Sequence, residues 1–535
     1  MKNKEQTIGQ GFLILSLSNI AVKILSLFFV PIIKLLLGGY EGYSVYSTAY
    51  SVYAFVYVIA TAGLPVAISK TVSELSKVGR SRDALRAFKI AKILMLAVGL
   101  VLMLLVGIFA KPLASFMQND DSWAGILMLA PTVFVCSVLS AYRGYFQGRK
   151  NMRPTAVSQV LEQIFHVLIS CALIFALKGY GIVWAVAGAT LGTLGGAAVA
   201  LVICLLAYKK DRPLFYEKIK GENLISERIP DPELLKKIFY YSIPLLISSA
   251  VQYGGDLIDS KMIKGSLISA GFTESAAKDL HGQFMAMRQL INVPGSLATA
   301  LCVSVLPAIA SSFAAGDRKA VDDNTFFSFR LCYMVAVPIS FAFVFFSEPI
   351  YKLLGYGDNN LLLTLTALSV ILLCTIHLQS SVLQGVNRMF TASGFMCLCV
   401  IIKAVLNGLL IRIPSLNIYG AIIATYCSYI IPAVLNFIWI KRVEHIKFSF
   451  FRAILYPAVA SLGSMAAGFG VYYGIRLVIS KFTEGYFSYL AAFGIAAVVC
   501  VILYYIIMRL TKGLTDDDLA QISPKLAGIC KRFKI

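Results

Sequence analysis

The chain has 535 residues, of which 58% are hydrophobic and only 14% charged, where soluble domains carry about 25% charged residues. That composition, with a mean hydropathy of +0.78, excludes a soluble multi-domain protein and points to an all-α polytopic membrane protein. The formal net charge of +21 does not indicate nucleic acid, because the basic residues gather in every second short loop between apolar runs, as positive-inside topology requires.

Taken in order, apolar runs of about 20 residues or more predict fourteen transmembrane helices. They lie at 9–37, 43–69, 85–110, 122–147, 154–177, 180–208, 234–264, 281–311, 326–347, 360–385, 390–413, 417–440, 452–479 and 485–509. The leading "MKNKEQTIGQG" runs into an apolar stretch too long for a signal h-region and lacks a small-residue cleavage site, so the first helix is expected to stay in the protein. One set of alternate loops holds Lys70, Lys77, Arg80, Arg82 and Arg86, then Arg143, Arg149 and Arg153, then Lys209, Lys210 and Arg212. The opposite set is short and lightly charged, as in "GGYEG" and "KGYG". Both termini are therefore expected to be cytoplasmic. The 11 cysteines lie mostly inside apolar runs without metal-ligand spacing and are read as small packing residues.

The chain repeats itself at an offset of about 237. "GYFQGRKN" (Gly144–Asn151) resembles "SVLQGVNR" (Ser381–Arg388), and "SKVGRSRDA" (Ser76–Ala84) resembles "FAAGDRKAV" (Phe313–Val321), with Gly79 and Gly316 in register. Six helices per half keep both halves in one orientation, which predicts a parallel repeat about the membrane normal. The expected organisation is an N-terminal lobe at 1–208, a cytoplasmic linker at 209–233, a C-terminal lobe at 234–441, two accessory helices at 442–509 and a cytoplasmic tail at 510–535.

Helical arithmetic groups the intramembrane polar residues into stripes, since positions i, i+4, i+7 and i+11 share a face. The first helix carries Ser16, Asn19, Lys23 and Lys34; the fifth carries Gln159, Gln163, His166 and Ser170, with Glu162 beside them. The seventh carries Gln252, Asp256 and Asp259, the eighth His281, Arg288, Asn292 and Thr299, and the eleventh Lys403 and Asn407. Such stripes cannot face lipid cheaply, so they are expected to face one another or a water-filled cavity. Lys23, Lys34, Arg288 and Lys403 outnumber Glu162, Asp256 and Asp259, which suits an anionic substrate; guanidinium suits phosphate particularly well. The second helix presents Tyr43, Tyr46, Tyr50, Tyr53 and Tyr57, read as packing, with a wall for sugar or lipid as the sharper alternative.

With its helix count, repeat and linker, the chain resembles the multidrug/oligosaccharidyl-lipid/polysaccharide exporter superfamily. Within it, the chain is similar to the polysaccharide transporter branch that contains stage V sporulation protein B and is related to the lipid II flippase. The motifs that carry the resemblance are "GLPVAISKTVSE" (Gly63–Glu74), "YRGYFQGRKNMRPTAVSQVLEQ" (Tyr142–Gln163), "IPLLISSAVQYGGDLIDS" (Ile243–Ser260) and "MRQLINVPGSLATALCVSVLPAIA" (Met287–Ala310). The resemblance implies a flippase in the bacterial plasma membrane, moving isoprenoid-diphosphate-linked saccharides from the inner to the outer leaflet by alternating access. It also implies a cavity-facing arginine on the eighth helix before a proline, matched by Arg288 and Pro294, and a helix-1 cation, for which Lys23 is the counterpart. Substrate contacts are expected at Arg288, Lys23, Asn19, Lys34, Asn292 and Lys403, and ion coupling at Asp256, Asp259, Glu162 and His166. No cofactor is expected, with membrane potential, H+ or Na+ as the energy source. The expected partners are the lipid-linked saccharide and membrane lipid, with no nucleic acid, and the protein is expected to be a monomer. A cation-coupled multidrug or metabolite antiporter of the same superfamily is the alternative. No phosphate-cradling glycine loop or His/Cys/Asp cluster suggests an enzyme.

Overall fold

The structure is a computed structural model that describes residues 8–61, 63–77, 79–149, 151–220, 229–446, 449–479 and 485–514. Its regular elements are helices, with no strand among the described residues. In chain order the α-helices are α1 (Ile8–Leu36), α2 (Tyr40–Thr61), α3 (Leu64–Lys77), α4 (Ser81–Ile108), α5 (Ala110–Phe116), α6 (Trp123–Gly148), α7 (Arg153–Leu177), α8 (Ile182–Lys220) and α9 (Asp231–Ser269). There follow α10 (Glu274–Ala314), α11 (Arg318–Phe345), α12 (Ser347–Leu354), α13 (Leu361–Thr366), α14 (Ser369–Gly385), α15 (Met389–Leu410), α16 (Tyr419–Ile438), α17 (Phe450–Ile479) and α18 (Tyr486–Leu510). The predicted tail beyond 514, the centre of the predicted linker at 221–228, and the side chains of Ser16, Gln252 and Thr299 lie outside the described residues.

Among the described residues, twelve helices are long and apolar enough to cross a membrane. Large apolar side chains on them lie bare, including Leu35 (79% exposed), Phe175 (68%) and Leu510 (78%). Surfaces of that kind are at home in hydrocarbon and not in water. The protein is thus a multi-pass membrane protein. α9 and α10 carry charged residues in their middles: Asp256, Asp259, Lys261 and Lys264 on α9, and Arg288 on α10.

Five predicted spans differ from the observed helices. The second breaks into α2 and α3 at Gly63, whose φ of +79° is left-handed backbone that glycine adopts without strain. The tenth divides into α13 and α14. The sixth runs on into the predicted linker as far as Lys220. That extension is tied down rather than left in solvent: Tyr145 donates to Asp211 at 2.8 Å, and the Arg149 guanidinium lies 4.4 Å from the Phe215 ring centre. The seventh and eighth spans lengthen into α9 and α10, separated only by residues 270–273.

The chain divides into two compact units. The first comprises Met1–Ala286 with Met396–Ala424. In it, α3, α4, α6, α8 and α9 enclose one apolar cluster around Phe88, Tyr145, Phe146 and Phe215. α7 and α8 approach closely along Gly188, Gly192 and Gly196, the small-residue spacing that lets membrane helices touch backbone to backbone. A Cβ on Gly192 would sit 2.5 Å from the Ser170 amide nitrogen, and Ser170 itself donates to the Ala189 carbonyl at 2.7 Å. Gly192→Val is therefore expected to cost about 1–3 kcal/mol through overpacking, visible as a lower melting temperature in detergent; an unchanged melting temperature would show that the two helices separate freely.

The second unit comprises Met287–Phe395 with Thr425–Ile535. α11 packs against α14 and α17, and α17 against α18. The Tyr504 hydroxyl donates to the Met334 carbonyl at 2.9 Å, and Phe346 stacks edge-on against Tyr472 and Phe493. Arg388 holds the buried Glu444 at 2.7 Å, and Arg318 donates to the Glu444 carbonyl at 3.2 Å.

The glycine turns flagged by the internal repeat share one geometry. Gly79 and Gly316 both have φ of +73°. After α3, the Gly79 amide donates to Ser76 and that of Arg80 to Leu75; after α10, the Gly316 amide donates to Phe313 and that of Asp317 to Ser312. This is the paired bonding of a Schellman helix end, formed twice by residues 237 positions apart.

Candidate substrate and ion site

Several sequence-predicted polar residues meet inside the first unit. The Lys403 ammonium on α15 lies 2.5 Å from an Asp259 carboxylate oxygen on α9, and Asn407, one turn along from Lys403, donates its amide to the other carboxylate oxygen at 2.8 Å. Asp259 and Asn407 are fully buried and Lys403 is 4% exposed. A buried carboxylate requires such compensation, because an ion stripped of water costs several kcal/mol even after relaxation. The residue predicted for substrate and the residue predicted for ion coupling are thus partners in one ion pair.

A second buried group lies nearby in sequence. His281 on α10 accepts or donates at both ring nitrogens, to Ser44 of α2 at 2.7 Å and to Ser260 of α9 at 3.5 Å. Ser44 also sits at the start of the tyrosine row. Tyr43, Tyr46, Tyr50, Tyr53 and Tyr57 form a continuous ladder, with successive ring centres 6.1, 5.8, 5.5 and 5.6 Å apart. Spacings of three and four residues place them on one face of α2. Tyr43, Tyr46 and Tyr53 are buried, and Tyr53 lies 3.6 Å from the Cys136 sulfur of α6. The row is core packing over most of its length.

Glu162 on α7 is paired with Arg143 of α6 at 2.6 Å, while Arg143 also donates to Ser158 at 3.1 Å. His166 meets Thr193 of α8 at 3.2 Å and the edge of Phe29. Lys34 lies over the Tyr40 ring at 4.6 Å, an attraction between the cation and the ring's negative face.

Lys23 differs from these. It is half-buried midway along α1 and makes no hydrogen bond or ion pair among the described residues. Asn19, one turn before it, is exposed. In the second unit, Arg288 and Asn292 lie one turn apart on α10 and are half-buried. Asp256 in the first unit is half-buried as well.

Residues 8–313 match the family model described as polysaccharide biosynthesis protein. The chain belongs to this family. It is the polysaccharide transporter branch of the exporter superfamily named above, so this family member is a membrane transporter. Similar proteins include the membrane protein YabM of Bacillus subtilis (strain 168), 27% identical over 97% of this chain and 95% of that one. The lipid II flippase MurJ of the same organism is 26% identical over 81% of this chain and 82% of its own. A solved structure of lipid II flippase MurJ in an inward closed conformation superimposes with a TM-score of 0.62 over 93% of this chain and 99% of that chain, at 15% identity, which shows a shared fold.

Two features of this family member escape a reading by periodicity. Arg143 reads as a loop-side cation near the end of its span, but its side chain turns inward to neutralise Glu162. A second cluster joins Lys264 to Glu274 at 3.2 Å and Lys278 to both Glu274 and Asp121, the last at 2.7 Å. Glu274 and Lys278 are four apart, a legible helix pair; Asp121 is 157 residues from Lys278 and nothing local announces it. The hydrogen bond from Lys264 and the charges of Lys264 and Lys278 hold the Glu274 carboxyl below its ordinary value.

Proposed function

We propose that this protein carries isoprenoid-diphosphate-linked saccharide precursors of the lipid II type, for cell-wall or polysaccharide assembly, from the inner to the outer leaflet by alternating access. The observation that carries this reading is Lys23, an ammonium midway along an apolar helix with no partner among the described residues. A cation in that position costs roughly 2.5–3.5 kcal/mol on insertion scales, and an anion drawn into the membrane would offset it. The family match and the likeness to a lipid II flippase support the same substrate class.

In this reading Lys23 and Asn19 bind the diphosphate, together with Lys34, Arg288 and Asn292. Lys403 joins them only when Asp259 releases it. Fourteen spans form lobes at 1–208 and 234–441, joined at 209–233 and related by a parallel repeat, with accessory helices at 442–509; the matched turns at Gly79 and Gly316 support the repeat. Both termini are cytoplasmic and the working unit is a monomer. Membrane potential, H+ or Na+ supplies the energy, with Asp256, Asp259, Glu162 and His166 as the groups that change charge or partner.

The test is reconstitution of the purified protein in liposomes loaded with an undecaprenyl-diphosphate-linked saccharide, reading how fast the headgroup becomes accessible on the far leaflet. Acceleration well above protein-free vesicles is expected. Vesicles no faster than the control, combined with resistance to cationic drugs on overexpression, would move the assignment to the antiporter.

A further inference from the structure

Asp259 lies where a free cation would be expected to bind, yet the structure fills that place from within. Its two carboxylate oxygens are taken by the Lys403 ammonium at 2.5 Å and the Asn407 amide at 2.8 Å. Asn407 donates through Nδ2, and its Oδ1 is buried with no hydrogen-bond partner among the described residues. An orphaned buried amide oxygen beside a carboxylate is unusual, since buried polar atoms are nearly always paired. An amide oxygen and a carboxylate are also the oxygen ligands that hard cations take.

The walls are close. Gly255 of α9 has Val400 of α15 against it, and Gly408 of α15 has Met262 of α9 against it, so the two helices meet on either side of the pair with no room for wide hydration. Lys264 pairs with Glu274, and His281 bonds Ser44 and Ser260. Lys403 supplies the ammonium that pairs with Asp259.

We propose that Asp259 and Asn407 form a monovalent-cation site whose occupant is the tethered ammonium of Lys403. In the resting protein no free Na+ enters there, and Asp259 contributes to the cycle by changing its pairing with Lys403. This goes beyond the transport reading and is tested by binding, without any transport assay. Removing the ammonium while keeping an apolar stem of similar length, Lys403→Met, opens the site to a free ion. Na+ would then regain the lost compensation, with Asn407 turning its oxygen toward it.

The experiment compares melting temperatures of detergent-purified protein in NaCl and in choline chloride at equal ionic strength. Wild type is expected to melt at the same temperature in both salts. Lys403→Met is expected to melt about 2–4 °C higher in NaCl, or to be recovered folded only in NaCl. The charge-neutral pair Lys403→Met with Asp259→Asn is expected to lose the Na+ response. A Na+-specific rise in wild type would overturn the proposal. So would a Lys403→Met protein that shows no salt preference, or one that cannot be recovered in either salt.

Discussion

Lys23→Ala is expected to slow translocation of the lipid-linked saccharide about 10- to 100-fold while leaving the melting temperature unchanged or slightly raised. The size follows from losing one charge-assisted hydrogen bond to a phosphate, about 1.5–3 kcal/mol. The direction of the stability change separates this role from a structural one. Lys23 pairs with nothing among the described residues, so removing it relieves a charge in hydrocarbon and strands no partner. A residue that held helices together would lower the melting temperature on removal. Lys23→Arg should keep most of the transport, because the charge is retained. The measurement is far-leaflet accessibility in proteoliposomes beside a thermal scan of the same preparation. Wild-type transport by Lys23→Ala would remove the diphosphate contact from α1. Arg288 provides the companion experiment, since a guanidinium grips phosphate bidentately and Arg288→Lys should not substitute fully for it.

Asp259→Ala is expected to have the opposite signature. It leaves the Lys403 ammonium buried without its carboxylate, and breaking a buried ion pair by removing one member costs about 3–5 kcal/mol. The melting temperature should fall on the order of 5–10 °C. The double change Asp259→Leu with Lys403→Met should recover most of that loss, because replacing both charges with apolar groups of similar volume is often neutral or stabilising. If the double variant melts as low as Asp259→Ala, the pair would be contributing shape rather than charge compensation. The contrast between Lys23 and Lys403 is the useful result: two lysines in apolar helices, one expected to affect transport without loss of stability, the other expected to affect stability first.

Much of the fold is legible in the sequence because helices in hydrocarbon satisfy their own backbone and must be apolar over about 20 residues. The span predicted at 154–177 is observed as Arg153–Leu177, and that at 122–147 as Trp123–Gly148. The glycines picked out at 79 and 316 adopt matching left-handed turns, because a helix end of that kind favours a residue without a Cβ. The extension of α8 into the predicted linker was not legible. Its segment is rich in charge, and contacts with residues such as Tyr145 and Arg149, more than 60 positions earlier, keep it in place.

The candidate site divides in the same way. Counting charges on stripes put Lys403 with the substrate cations and Asp259 with the ion-coupling acids, and did not pair them, since 144 residues separate them in the chain. The same count omitted Arg143, so Glu162 appeared to belong to the cavity rather than to an internal pair. What the sequence by itself determined is what depends on near neighbours: helical spans, membrane residence, turn glycines, and which faces carry polar groups. Which polar groups neutralise one another was decided only when distant helices packed. Electrostatic compensation in a low-dielectric interior is a matter of a few ångströms, and helical periodicity carries no information about distances between helices.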